Sequence, residues 1–193
     1  EVSALTGWTT SGSSIARSSA VSQLNTYSVR LGKSSSAGAG DNSVTQTFVA
    51  PSTGGTLYFY YYNICTSTVA NDWATATLVN NTTNTTTTPL GKVCSGTSSP
   101  SWASVSVTLT AGQTYTLTLL NHDNGSSPRS YTYFDNVYVT ANGTPENSVS
   151  QTFTAPPTGG SLSFWYRNVC TSTVSNDWAT ATLVNNTTST PST

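Results

Sequence analysis

Six consecutive residues, Leu57 to Tyr62, occur twice in this chain, and the way the two copies differ limits what they can fold into. In the second copy Leu57, Phe59 and Tyr61 recur as Leu162, Phe164 and Tyr166, whereas Tyr58, Tyr60 and Tyr62 become Ser163, Trp165 and Arg167. Unchanged and changed positions therefore alternate with a period of two. Side chains alternate between the two faces of a β-strand, and no helix gives that period. The unchanged set is expected to face a core, and the changed set to face solvent or a partner.

The hexamer belongs to a longer repeat. Residues 41–88 reappear at 146–193 with 35 of 48 positions identical, and NDWATATLVNNTT is unchanged between Asn71–Thr83 and Asn176–Thr188. The second copy ends with the sequence, at Thr193. The chain thus reads as a complete module over 1–140, a linker at 141–145, and over 146–193 a partial repeat.

The rest of the first module has the same texture. SVTQTFVA, WATATLV, ASVSVTLT, TYTLTLLN and SYTYFDNVYVT alternate or are rich in β-branched residues, and SSSAGAGDN, APSTGG, SGTSSPS, TAGQ and HDNGSSP separate them as turns. Short strands at this spacing predict an all-β fold, an antiparallel β-sandwich of two sheets with a partial second sandwich. The expected core comprises Trp8, Leu31, Phe48, Leu57, Phe59, Trp73, Val107, Tyr115, Leu117, Leu119 and Val137.

Composition narrows the function. Charged residues are 7% of the 193, net charge is −1, and Ser and Thr number 69. So neutral a chain lacks the basic footprint of a nucleic-acid partner. Its longest apolar stretch falls far short of the roughly 18 residues of a membrane span. A hydroxyl- and amide-rich surface suits an extracellular protein. Asn-x-Ser/Thr triplets at Asn80, Asn81, Asn84, Asn124, Asn142, Asn185 and Asn186 are candidate glycosylation sites.

Three cysteines point the same way. A Cys65–Cys94 disulfide would close a loop of about 30 residues, worth ~3 kcal/mol. Cys170 copies Cys65, but the equivalent of Cys94 would fall beyond Thr193. Cys170 is left as a free thiol, an inter-chain partner, or one half of a pair completed outside this sequence. No CxxC is present and His122 is the single histidine, which disfavours a transition-metal site.

Catalytic signatures are weak. His122–Asp123 are sequence neighbours in a predicted loop without a GxSxG motif, so they make a poor triad. Asp72 and its copy Asp177 read as turn or capping residues. Lys33 and Lys92, candidates for isopeptide crosslinks, have no acidic partner motif. Tyr58, Tyr60 and Tyr62, with Trp165 from the second copy, form a candidate aromatic platform for sugar rings.

Together GWTTSGS, YSVRLG, DNSVTQTF, TLYFYYYNIC, NDWATATL and YFDNVYVT resemble the galactose-binding-like jelly-roll modules, similar to carbohydrate-binding domains of secreted bacterial hydrolases and peptidases. That resemblance implies a non-catalytic sandwich with no required cofactor. It also implies a structural calcium, held by position at Glu1 and Asp135.

Two functions are then expected. In the first, the partial repeat presents the face of Leu162, Phe164 and Tyr166, with Trp165, to another copy of the chain. Strand complementation would then build an extracellular filament, with Cys170 available to pair between chains. In the alternative, the chain is a carbohydrate-binding module of a larger secreted bacterial enzyme, with polysaccharide as partner.

Overall fold

The computed structural model describes residues 5–36, 38–142, 152–165, 181, 183–185 and 190–192. The chain divides into two compact units, Glu1–Asn147 and Ser148–Thr193. The first carries β1 (Thr9–Ser11), β2 (Ile15–Ser18), β3 (Ser28–Leu31), β4 (Ala39–Val49), β5 (Gly55–Cys65), β6 (Trp73–Asn80), β7 (Thr85–Val93), β8 (Ala103–Leu109), β9 (Thr114–Asn124) and β10 (Ser130–Ala141). They form two antiparallel five-stranded sheets, ordered β1-β4-β9-β6-β7 and β2-β3-β10-β5-β8. The all-β sandwich expected from the alternating segments is what the first unit builds.

The apolar residues of alternate positions meet between the sheets. From β5 come Leu57 and Phe59, from β6 Ala74, Ala76 and Leu78, from β9 Tyr115, Leu117 and Leu119, and from β10 Phe134, all buried. Tyr61, Trp8, Phe48, Val107 and Val137 are partly buried against this cluster. Trp73 departs from expectation. It opens β6 one position out of phase with Ala74, Ala76 and Leu78, so its ring lies on the outer face, stacked on His122 with centroids 5.0 Å apart.

A polar relay crosses the sandwich at one end of the core. Asn63 of β5 donates through Nδ2 to Thr132 Oγ1 of β10 (2.9 Å), and Thr132 donates to Asn121 Oδ1 of β9 (2.7 Å). Asn121 Nδ2 donates in turn to the Ser130 carbonyl at 3.2 Å. All three side chains are buried and satisfied. Beside them Cys65 is joined to Cys94 by a disulfide, and Ser95 N donates to Asn63 Oδ1 at 2.9 Å. Gly32 closes the relay from β3's end. Its φ is +95°, and a Cβ there would lie 2.8 Å from the Ser130 carbonyl oxygen and 2.9 Å from Asn121 Nδ2.

Some segments read as turns are strand. β4 begins at Ala39, inside SSSAGAGDN, and β9 runs through His122–Asp123–Asn124. Cross-strand pairing across the full width of the sheet (Asp41 opposite His122, His122 opposite Trp73) overrides their local turn preference. β7 has no alternating signature. It is an edge strand, where Pro89 costs no ladder bond to a further neighbour.

In the second unit the described strands are β11 (Leu183–Asn185) and β12 (Thr190–Ser192), an antiparallel pair. Residues 152–165 contain no strand, although their first-copy counterparts run into β5. Leu162, Phe164 and Trp165 are exposed there, Trp165 fully. Tyr166, Cys170 and Asp177 lie outside the described residues. Among the described residues no helix is long and apolar enough to cross a membrane.

Replacing both Cys65 and Cys94 with Ser is expected to lower unfolding free energy by about 3 kcal/mol. Asn63→Ala, which strands Thr132 and Ser95 N, is expected to cost about 1–3 kcal/mol. Urea unfolding checks both, and wild-type stability in either variant would contradict the pinning role given to this end of β5.

Candidate functional site

The outward positions of β5 carry Tyr58, Tyr60, Tyr62 and Ile64. Each faces a neighbour across β10: Tyr138 opposite Tyr58, Asp135 opposite Tyr60, Tyr133 opposite Tyr62, Tyr131 opposite Ile64. On the other side Ser106 faces Tyr58, and Ser104 faces Tyr60. The result is an aromatic surface running along two strands.

Its rings are held by one another. Tyr58 stacks on Tyr138 with centroids 5.1 Å apart. Tyr62 sits between Trp102 (5.5 Å, tilted) and Tyr133 (6.2 Å, edge-on), and Tyr133 meets Tyr131 edge-on at 5.8 Å. Among the described residues, Tyr60 alone of the three makes no ring contact with another aromatic side chain. It lies half-buried between the two clusters, flanked by Ser104. From Tyr58 to Tyr62 is four strand residues, about 13 Å.

Tyr133 is buried by this packing. Burial pushes its phenol above the ordinary value of 10.0, and the charge of Tyr131 acts in the same direction; the Arg30 charge and hydrogen bonds with Ser18 and Arg30 oppose them.

β10 contains a bulge between Asp135 and Tyr138, with Asn136 in the left-handed region at φ 49°. The carboxylate of Asp135 accepts three backbone N–H groups: Gln23 at 2.8 Å and Leu24 at 3.1 Å on Oδ2, and Asn136 at 2.7 Å on Oδ1. These N–H donors suit a carboxylate that ties down the loop before β3. No group of three metal-ligating side chains occurs among the described residues. Glu1, the other expected calcium ligand, lies outside them.

The His122–Asp123 pair points to opposite faces. Asp123 is buried and accepts Gly125 N and Ser130 N, at 2.8 and 2.9 Å. His122 faces outward on the opposite sheet, Nδ1 2.6 Å from Asp41 Oδ1, with Lys92 Nζ 3.9 Å from the centroid of the neighbouring Trp73. His122 was expected in a loop and lies in a strand instead. Asp72 is buried, and its Oδ1 accepts Asn124 N at 2.8 Å, so its cap reaches a distant strand end. Lys33 sits exposed in the loop after β3.

Of the candidate glycosylation sites, Asn81, Asn84, Asn124 and Asn142 are exposed, and Asn186 lies outside the described residues. Asn80 is buried with its amide donated to Gln113 and Tyr115, which closes it to modification.

No protein-family model matches the chain, and no curated protein matches it. Several solved structures are similar to it. The carbohydrate-binding module TmCBM61, solved with β-1,4-galactotriose, is 12% identical, with a TM-score of 0.51 over 70% of this chain and 89% of its own. The C-terminal family 22 carbohydrate-binding module of Clostridium thermocellum Xyn10B is 14% identical over 73% and 89% (TM-score 0.47). The K1 cleaved adhesin domain of Lys-gingipain from Porphyromonas gingivalis W83 is 17% identical over 72% and 92% (TM-score 0.46). At such identities the likeness is one of fold, and it rests on TmCBM61: the first unit is a β-sandwich of that kind.

Because the folded Tyr133 phenol is harder to ionise than the unfolded one, its contribution is complete below pH 10. That contribution is lost as pH rises from about 10 through the raised folded value. Thermal unfolding from pH 8 to 11 should show an alkaline loss that is smaller in Tyr133→Phe. An identical alkaline slope in both proteins would remove Tyr133 as its source.

Proposed function

We propose that the first unit is a non-catalytic, extracellular carbohydrate-binding module, with the tyrosine face of β5 and β10 as its glycan platform. The observation that carries this reading is Tyr60, a half-buried ring without aromatic cover, held between two locked aromatic pairs and beside Ser104. A ring so placed offers a flat apolar surface to the C–H face of a sugar. Neighbouring phenols and serine hydroxyls supply hydrogen bonds to sugar hydroxyls. The platform is rigid before ligand arrives, which lowers the entropic cost of binding. The reading requires no cofactor. The Cys65–Cys94 disulfide suits an oxidising compartment.

Affinity electrophoresis against a panel of polysaccharides tests it. The intact chain is expected to be retarded by at least one polymer, and Tyr60→Ala to lose that retardation by about tenfold, a cost of about 1.4 kcal/mol, while its circular dichroism spectrum stays that of the folded protein. Retention unaffected by Tyr60→Ala would place any glycan site elsewhere.

A second reading rests on a different observation. Leu162 is more than half exposed and Trp165 fully so, in a segment without strand structure. Apolar side chains presented this way favour a partner. We propose that this partner is a second copy, joined by strand complementation, with filaments as the product if the contact does not close. Sedimentation velocity is expected to show concentration-dependent association that Trp165→Ser weakens. A monomer at every concentration would contradict it.

A further inference from the structure

The aromatic face does not stop at Tyr62. Two residues further along the same side of β5, Ile64 forms one wall of an open pocket of about 340 Å³, near the lower end of the ~300–1,000 Å³ range for ligand pockets. Its other walls include Ser35 and Ser36 from the loop after β3, Ser98 from the β7–β8 connection, and Ser127 and Arg129 from the turn before β10. Tyr131, opposite Ile64, carries the Arg129 guanidinium 5.8 Å from its ring centroid. Hydroxyls therefore line this pocket, and Arg129 is the cation among its wall residues.

Two further cations stand near it. Arg30 bonds Ser34 Oγ at 2.8 Å and reaches Tyr133, and Lys33 stands exposed in the same loop as Ser35 and Ser36. Of the four described carboxylates, Asp135 lies opposite Tyr60 and Asp123 accepts Ser130 N next to Arg129. Asp72, Asp123 and Asp135 accept backbone N–H groups, and Asp41 pairs with His122 on the opposite sheet. That Asp41–His122 contact is the single ion pair among the described residues. Arg30, Lys33 and Arg129 thus gather at one end of the tyrosine face, and none of them forms an ion pair with a described carboxylate, although the net charge is only −1.

We infer that the glycan bound on the tyrosine face is acidic, a polyuronate, with one carboxylate seated in the serine-lined pocket on Arg129. The planar guanidinium matches a carboxylate with two parallel hydrogen bonds, and the serines match the hydroxyls of the same sugar. Arg30 and Lys33 add a positive field that steers an anionic chain onto a largely uncharged protein. This inference rests on the glycan-platform reading and names its substrate class.

The experiment compares polygalacturonate with its carboxyl-reduced counterpart, by affinity electrophoresis and by titration calorimetry at low and high salt. The intact chain is expected to bind the acidic polymer at least tenfold more tightly. Salt should narrow that difference, and Arg129→Gln, an exposed substitution, should abolish it with the melting temperature unchanged. Equal binding of the two polymers, still lost in Tyr60→Ala, would overturn the acidic ligand and leave the platform standing. Absence of binding to both these polymers and the wider polysaccharide panel would overturn the two together. The polymer comparison on the unaltered protein does not depend on how any variant folds.

Discussion

The register of β5 is the constraint on which the rest of the first unit depends. Because side chains alternate with a period of two, a slip of one residue would exchange Leu57 and Phe59 with Tyr58 and Tyr60 across the sheet. Hydrophobic burial opposes that slip, but tyrosine tolerates burial well enough that burial alone is a weak lock. The lock lies at the strand's far end. Asn63 is buried with its amide on Thr132 and its carbonyl oxygen on Ser95 N, and Cys65 is covalently held to Cys94. A slipped strand would strand Asn63's partners and break the disulfide geometry together. One strand can therefore supply both the centre of the core and the aromatic surface.

The scarcity of charge has a structural counterpart. Three buried or part-buried carboxylates each fix a loop by accepting backbone N–H groups, Asp72 and Asp123 at the end of β9 and Asp135 at the bulge of β10. On the outer face of the other sheet, threonines pair across strands, Thr45 with Thr118 at 3.1 Å and Thr47 with Thr116 at 2.9 Å. Such pairs add to sheet stability without charge. These three acids are thereby committed to holding the fold.

The legible part of the fold is the part written in local alternation. β4, β5, β6, β8, β9 and β10 were visible as period-two segments, and Cys65–Cys94 followed from count and compartment. β1, β2 and β3 are three or four residues long, too short for a pattern, and β7 hides behind Pro89 and Gly91. Trp73 and His122 were misplaced because their stacking is a cross-strand relation, set by pairing that no local window contains. The same limit applies to the site. The Tyr58, Tyr60 and Tyr62 row could be read from one strand. Its completion by Tyr131, Tyr133 and Tyr138, by Trp102, and by the loops around Arg129 joins segments far apart in the sequence. The repeat gave one real clue, since the positions that change between copies on β5 are those that face outward.

Hydroxyl-radical footprinting with mass spectrometry, on the intact chain with and without a bound oligosaccharide, addresses this account most directly. Oxidation should fall on Tyr58, Tyr60 and Tyr62, spare Leu57 and Phe59, and be suppressed at Tyr60 when the ligand is present. Equal labelling of Leu57 and Phe59, or ligand protection that bypasses the tyrosines, would contradict it.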